Sequence, residues 1–482
     1  MTTSTRDALD ALLYVRNGDI TARWNFPEAV GSPLDDPAGF GTAVSLTYSF
    51  PDTVTPYFTP PDFRAFSQQE RQATREVLAA ISSVVAVQFR EVEGIGQMTY
   101  AMSSQSQGQE GFAFQPGYGY SFVGDKYTSV TESDRAGDVW INRQIERTDA
   151  NLARGGDGFA TLLHETSHAI GLKHPFEAPS DGFLLDGELD NERYTVMSYN
   201  APDNTNIVTV SGDPLDYSFR WIPASPSTLM PLDIQALQAL YGANTTTRRG
   251  NDTYRWSRHP EILETIYDTG GRDRIDCRNQ SFRCFIDLRP GSFSSIAQRL
   301  TDAQKRIGLD LPSWFDAPLP RGTYDGRDNL AIAEGVTIEQ AFGGSGADTI
   351  IGNQAANTLS GGLGRDRLTG GLGADRFLFD TAPSKANLDK VNDFSPGQDA
   401  LLLDARRFPG LSGSRAGQPL AAELYRIGSA PLDRDDLILY NPSTNLLSYA
   451  PEGSASRTLL PIAQMALPGN QAPLIGDLLV LG

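Results

Sequence analysis

His164-Glu165-Thr166-Ser167-His168-Ala169-Ile170-Gly171-Leu172-Lys173-His174 reads H-E-x-x-H-x-x-G-x-x-H and carries three of the four histidines in a 482-residue chain. Residues four apart on an α-helix lie about one turn apart, so the imidazoles of His164 and His168 share one face and can share one ion. A neutral imidazole is a good zinc ligand, and a zinc site that does chemistry takes three protein ligands and leaves one position open. Gly171 accounts for the third ligand. A residue without Cβ ends a helix in the left-handed conformation and turns the chain so that His174 meets the same metal. A bare H-E-x-x-H arises by chance in many helices; the extended form is more demanding, because it also fixes a glycine and a third histidine.

A methionine turn is expected downstream of such a motif, and Tyr194-Thr195-Val196-Met197-Ser198-Tyr199 supplies one. Met197 is expected to form an apolar floor beneath the histidines, and Tyr199 to bring a phenol to the metal. Taken alone, either residue reads as ordinary core or half-buried surface.

From Gly343 a second pattern begins, with a period of nine: Gly343 to Ile351, Gly352 to Ser360, Gly361 to Thr369 and Gly370 to Leu378. It matches G-G-x-G-x-D-x-U-x, in which six residues form a calcium-binding turn and three form a short strand. Ile350, Leu359, Leu368 and Phe377 are the inward apolar positions. Calcium takes several oxygens at once, so neighbouring turns supply its ligands jointly. The candidate ligands are Gly343, Gly344, Gly346, Asp348, Asn357, Gly361, Gly362, Gly364, Asp366, Gly370, Gly371, Gly373 and Asp375. The second turn, Gly352-Asn353-Gln354-Ala355-Ala356-Asn357, lacks the glycines, and its Asn357 offers a neutral oxygen at best. A flexible linker would share this composition but not its period.

The length allows two or more domains, with 39% apolar content to fill their cores. A net charge of -19 argues against nucleic acid, whose phosphates need clustered lysine and arginine. No apolar run is long enough to span a bilayer. Residues 1–14 lack the charged start and apolar stretch of a secretory signal. Without calcium the turn carboxylates repel one another, so the repeat region is expected to stay unfolded in calcium-poor cytoplasm and to fold outside. That suits one-step export read from the C-terminus, where Asp477-Leu478-Leu479-Val480-Leu481-Gly482 places an acid before an apolar run; a plain terminal strand would look the same. Cys277 and Cys284 either form a disulfide after export or remain two buried thiols.

With these motifs the chain resembles the serralysins, calcium-dependent zinc proteases of the metzincin type that type I systems secrete. The likeness extends through Gly137-Asp138-Val139-Trp140, Leu232 to Asn244 and Gly335-Val336-Thr337-Ile338-Glu339. It implies an α+β metzincin protease domain followed by an all-β domain of parallel β-roll and β-sandwich type. Residues 1–20 are then a propeptide or N-terminal helix, 21–245 the protease and 246–482 the calcium-binding and secretion domain. It further implies one zinc on His164, His168 and His174, Glu165 as general base, Tyr199 as a movable further ligand, and several calcium ions. One of these is held by Asp268, Gly270 and Asp273. Substrates are proteins or peptides, paired along an edge strand for which Gly137 to Asn142 is the candidate. The expected protein is a secreted monomer that meets the export machinery and, as a further partner, a proteinaceous inhibitor. Ser167 departs from the family's usual glycine, and the two cysteines depart from its usual lack of them. The rival readings are a catalytically silent calcium-binding surface protein or adhesin, and a metalloenzyme acting on other esters or amides.

Overall fold

The computed structural model describes residues 8–16, 20–25, 39–124, 126–144, 148–177, 184–185, 187–412, 416–467 and 471–482. The expected N-terminal segment therefore lies partly outside the described residues. The chain divides into two units, the first made of Met1–Asn206, Ile222–Thr247 and Ile262–Tyr267, and the second of Ile207–Trp221, Arg248–Glu261 and Asp268–Gly482.

The first unit is built on a mixed sheet. Val44–Ser49 runs parallel to both Val87–Glu91 and Met98–Ser103, Val139–Asn142 runs parallel to Met98–Ser103, and Gly111–Ala113 lies antiparallel at the edge. Helix Gln68–Val84 starts on a capping box, with Ser67 and Glu70 satisfying each other's backbone N–H groups, and buries Ala73, Val77, Ala80, Ile81 and Val84. Helix Asp157–Ala169 packs against it and against the strands Gly111–Ala113 and Val139–Asn142.

One expectation fails here. Gly137 to Asn142 is not an edge: all four residues of Val139–Asn142 are buried, and strands pair with both sides. A strand covered on both faces reads as a continuous apolar run, as Val139-Trp140-Ile141 does, and edge strands are not written that way. The true edge, Gly111–Ala113, is short and carries no period strong enough to mark it.

The second unit is a winding of short strands that alternate between two sheets. Thr349–Ile351 pairs with Arg367–Thr369 in one, and Thr358–Ser360 pairs with Arg376–Phe379 in the other, always in parallel. Each strand therefore stacks on the one eighteen residues away. The inward side chains Ile350, Leu359, Leu368 and Phe377 are fully buried. The winding continues past the sequence repeats through Asp389–Val391 and Ala400–Asp404 to Leu460–Met465 and Leu478–Leu481. Among the described residues no helix is long and apolar enough to cross a membrane.

Candidate metal centre

Helix Asp157–Ala169 carries His164, Glu165 and His168. Its end is held from outside: the Trp24 indole donates to the Ala169 carbonyl (2.9 Å) and the Tyr241 hydroxyl to that of Ile170 (2.7 Å). Two of the carbonyls a helix end leaves without partners are thereby satisfied. Gly171 then turns at φ +114°, where a Cβ would sit 2.5 Å from the Ala22 carbonyl oxygen, so no other residue fits the bend. The bend delivers His174.

Nε2 of His174 lies 3.1 Å from that of His164 and 3.0 Å from that of His168. Every ring is fixed through its other nitrogen. Nδ1 of His164 donates to the Val196 carbonyl (2.7 Å), Nδ1 of His168 to the Leu172 carbonyl (2.8 Å), and Nδ1 of His174 to Glu177 Oε1 (2.7 Å). A carbonyl or carboxylate only accepts, so each Nδ1 carries a proton, and in the neutral ring Nε2 then presents a lone pair. Three lone pairs directed at one point repel unless an electrophile sits among them. Zinc at about 2.0–2.1 Å from three imidazoles in tetrahedral array would space the nitrogens by about 3.3 Å, close to what is seen. Burial pushes His164 down to about 4 and His168 well below its ordinary value, which keeps both rings neutral.

The methionine turn serves this centre through its backbone. Val196 anchors His164, and the turn is itself held by Asp233 at the start of helix Pro231–Tyr241. Asp233 accepts from Thr195 Oγ1 (2.6 Å), Val196 N (2.8 Å) and Met230 N (2.9 Å), and burial raises its carboxyl to about 7. Met197 is fully buried. Tyr199 is exposed as a whole, with its hydroxyl 2.8 Å from His174 Nε2; partial desolvation where it lines the cleft, and then Glu165 and Glu177, push its ionisation up. Ser167 fits within the helix by donating back to the Leu163 carbonyl (2.8 Å).

Glu165 is buried and lines an 820 Å³ cleft together with the three histidines, Tyr199 and the edge strand. Gly111 packs directly on it: a Cβ there would lie 2.8 Å from Glu165 Cγ. Carboxylates of Glu110, Glu177 and Glu192 also line the cleft. Glu192 is raised to about 7, chiefly by burial and then by Glu110.

In the second unit, carboxylate oxygens of Asp252, Asp268 and Asp273 lie within 4.8 Å of one another. Gly270 N donates to Asp268 Oδ1 (2.9 Å), and Asp252 N to Asp273 Oδ1 (2.7 Å). Burial, with Asp268, Glu339 and Asp252 nearby, raises Asp273 to about 6. The roll turns form a ladder. Asp348 Oδ2 accepts from Gly344 N (2.6 Å), and Asp366 Oδ1 accepts from Asp348 N (2.7 Å). Asn357 stands in the acid's place, taking Asn353 N at 2.7 Å and giving its own N–H to Asp375 (2.8 Å). Asp389 and Asp399 extend the ladder beyond the repeats. Glu177, Asp233, Asp252, Asp389 and Asp399 had not been singled out from sequence; only Asp389 and Asp399 left a trace, as further acids before apolar residues.

The family described as "Peptidase M10 serralysin C terminal" matches residues 324–409. The metalloprotease AprA of Pseudomonas entomophila is 32% identical over 400 residues, covering 75% of this chain and 72% of that protein. The metallopeptidase AprA of Pseudomonas marginalis is 28% identical over 373 residues, covering 70% and 68%. The serralysin of Proteus mirabilis is 28% identical over 349 residues, covering 68% of this chain and 61% of its own length. Two of these relatives are a metalloprotease and a metallopeptidase by name, and the chain belongs to the serralysin family.

Proposed function

We propose that the chain is a secreted zinc-dependent endopeptidase of broad specificity, with a protease unit of metzincin type and a calcium-binding roll. The observation that carries this reading is the meeting of three Nε2 lone pairs, each ring being held by a hydrogen bond on its far nitrogen. His164, His168 and His174 would hold the zinc, which when bound polarises a carbonyl and lowers the pKa of water toward 7.

The chain's own groups account for the rest. A peptide lies extended along Gly111–Ala113 and pairs through its backbone, which gives affinity with little preference for sequence. The Glu165 carboxylate accepts the proton of the attacking water and returns it to the leaving amine nitrogen. Gly111 leaves the space in which that carboxylate sits. The Tyr199 hydroxyl donates to the oxygen that gains charge during the attack. Calcium would be held by Asp252, Asp268 and Asp273, and by the ladder from Asp348 to Asp399.

Glu165→Gln should keep zinc by metal analysis yet lower casein hydrolysis by about 10²- to 10⁴-fold. A variant that cleaves at the normal rate removes Glu165 from the reaction. Activity lost to chelator and regained only when zinc and calcium are both returned supports the whole assignment; bound zinc without cleavage favours a silent surface protein.

A further inference from the structure

In every repeat of the roll the first position of the turn faces the sixth. A Cβ on Gly343 would lie 2.5 Å from Asp348 Oδ2, and one on Gly361 or Gly370 would lie 2.3 Å from the Oδ2 of Asp366 or Asp375. Side chains at those two positions must therefore point at each other. Strand register places the turn between Arg274–Asp276 and Arg283–Asp287 on the same stack. Asp276 pairs with Phe342, so Cys277 falls beside Gly343; Phe285 pairs with Thr349, so Cys284 falls beside Asp348. The hydrogen bonds agree. Cys277 N donates to the Phe342 carbonyl (2.7 Å) as Gly343 N does to that of Ser360 (2.8 Å). Cys284 N donates to Asp348 Oδ1 (2.6 Å) as Asp348 N does to Asp366 Oδ1 (2.7 Å). The two cysteines thus hold the first and sixth positions of a turn with two extra residues.

That turn, Cys277 to Cys284, contains no acid, so it has no carboxylate to offer calcium. Both thiols are buried and unlinked in the structure, and the Cys284 thiol lies between the Phe282 carbonyl (3.8 Å) and the Ala297 N–H (3.4 Å), neither of them an acid. We propose that Cys277 and Cys284 form a disulfide that locks this end of the roll where the other turns rely on calcium. As the Sγ–Sγ bond forms, the two thiols lose two protons and two electrons to an external disulfide compound, which leaves as two thiols. Thiols buried this deeply react slowly as nucleophiles, so the bond forms while the turn is still open, before calcium closes the stack. The inference rests on reading the roll as a calcium-binding structure.

The test refolds the full chain from denaturant with calcium, in oxidised or in reduced glutathione, and then alkylates it under denaturing conditions for intact-mass measurement. No alkylation after oxidation and two groups after reduction are expected; two groups in both overturn the disulfide. Calcium titration followed by circular dichroism is the second arm. The oxidised chain should fold at a calcium midpoint about threefold lower, because the loop-closure entropy of a short ring is shared among several cooperative ions. The Cys277→Ser/Cys284→Ser chain should titrate identically in both glutathione states. Equal midpoints for oxidised and reduced native chain overturn the locking role. A chain that ignores calcium altogether, whatever its thiols do, counts against the roll reading and leaves the labelling result standing.

Discussion

The histidine cluster and the roll solve opposite problems. In the cluster, three imidazole rings come from a helix and the bend after it, and each is oriented by an acceptor supplied by Val196, Leu172 or Glu177. Burial holds the rings of His164 and His168 neutral, so their enclosure is tolerated. In the roll, carboxylates are stacked and buried: Asp348 and Asp375 are raised to about 6, Asp389 to about 7 and Asp366 to about 8, each chiefly by burial. Ionising them without a counter-ion opposes folding. The cluster is ordered by acceptors around its rings, whereas the stacked carboxylates of the roll would need a counter-ion to ionise together.

Chelating calcium at neutral pH should give the largest effect, loss of the roll's ordered strands by hydrogen exchange, while the sheet around Val139–Asn142 stays protected. Roll strands that stay protected in chelator would erase the contrast.

Asp233→Ala comes next. It removes the acceptor of three buried hydrogen bonds and should lower the thermal stability of the first unit by about 2–4 kcal/mol. Because Val196 anchors His164, zinc affinity should fall with it. Unchanged zinc affinity would show that the methionine turn is positioned by something else.

Acid should separate the two regions by sign. The roll carboxyls have folded pKa values above their ordinary 3.8, so the native state keeps protons the unfolded chain has shed. Metal-free roll stability is then greatest below about pH 4 and is lost as pH rises through about 6 to 8. His164 is depressed from 6.5 to about 4, so its contribution is present above 6.5 and is lost as pH falls through about 4. Unfolding of the chelated full chain at pH 5 and pH 8, followed by residue-resolved exchange, checks this. Parallel rather than crossed trends would refute the comparison.

The smallest effect belongs to Asn357→Asp. A second carboxylate facing Asp375 across the ladder should tighten calcium binding by about three- to tenfold and make the metal-free roll less stable. A tighter chain that is equally stable without metal would mean that charge repulsion is not what calcium relieves.

How much of this was visible beforehand follows from distance along the chain. His164, His168, Gly171 and His174 were legible because helix pitch and one bend bring them together within eleven residues. The roll was legible because its period repeats. Asp252 lies too far from Asp268 and Asp273 to be linked to them without the strand pairing between. Glu177 is close to His174, but nothing in its spacing distinguishes it from a solvated surface acid. The edge strand was misplaced because Val139-Trp140-Ile141 has the stronger pattern, whereas Gly111-Phe112-Ala113 is defined by what lies beside it.

The eighteen-residue stacking restricts how such a coil changes length. Excising residues 352–360 alone would shift every later strand onto the opposite sheet, separating Leu368 and Phe377 from their present neighbours. Removing two adjacent nonapeptides would restore the alternation. Growth and shrinkage of this architecture by gene-level duplication or deletion should therefore proceed in even steps.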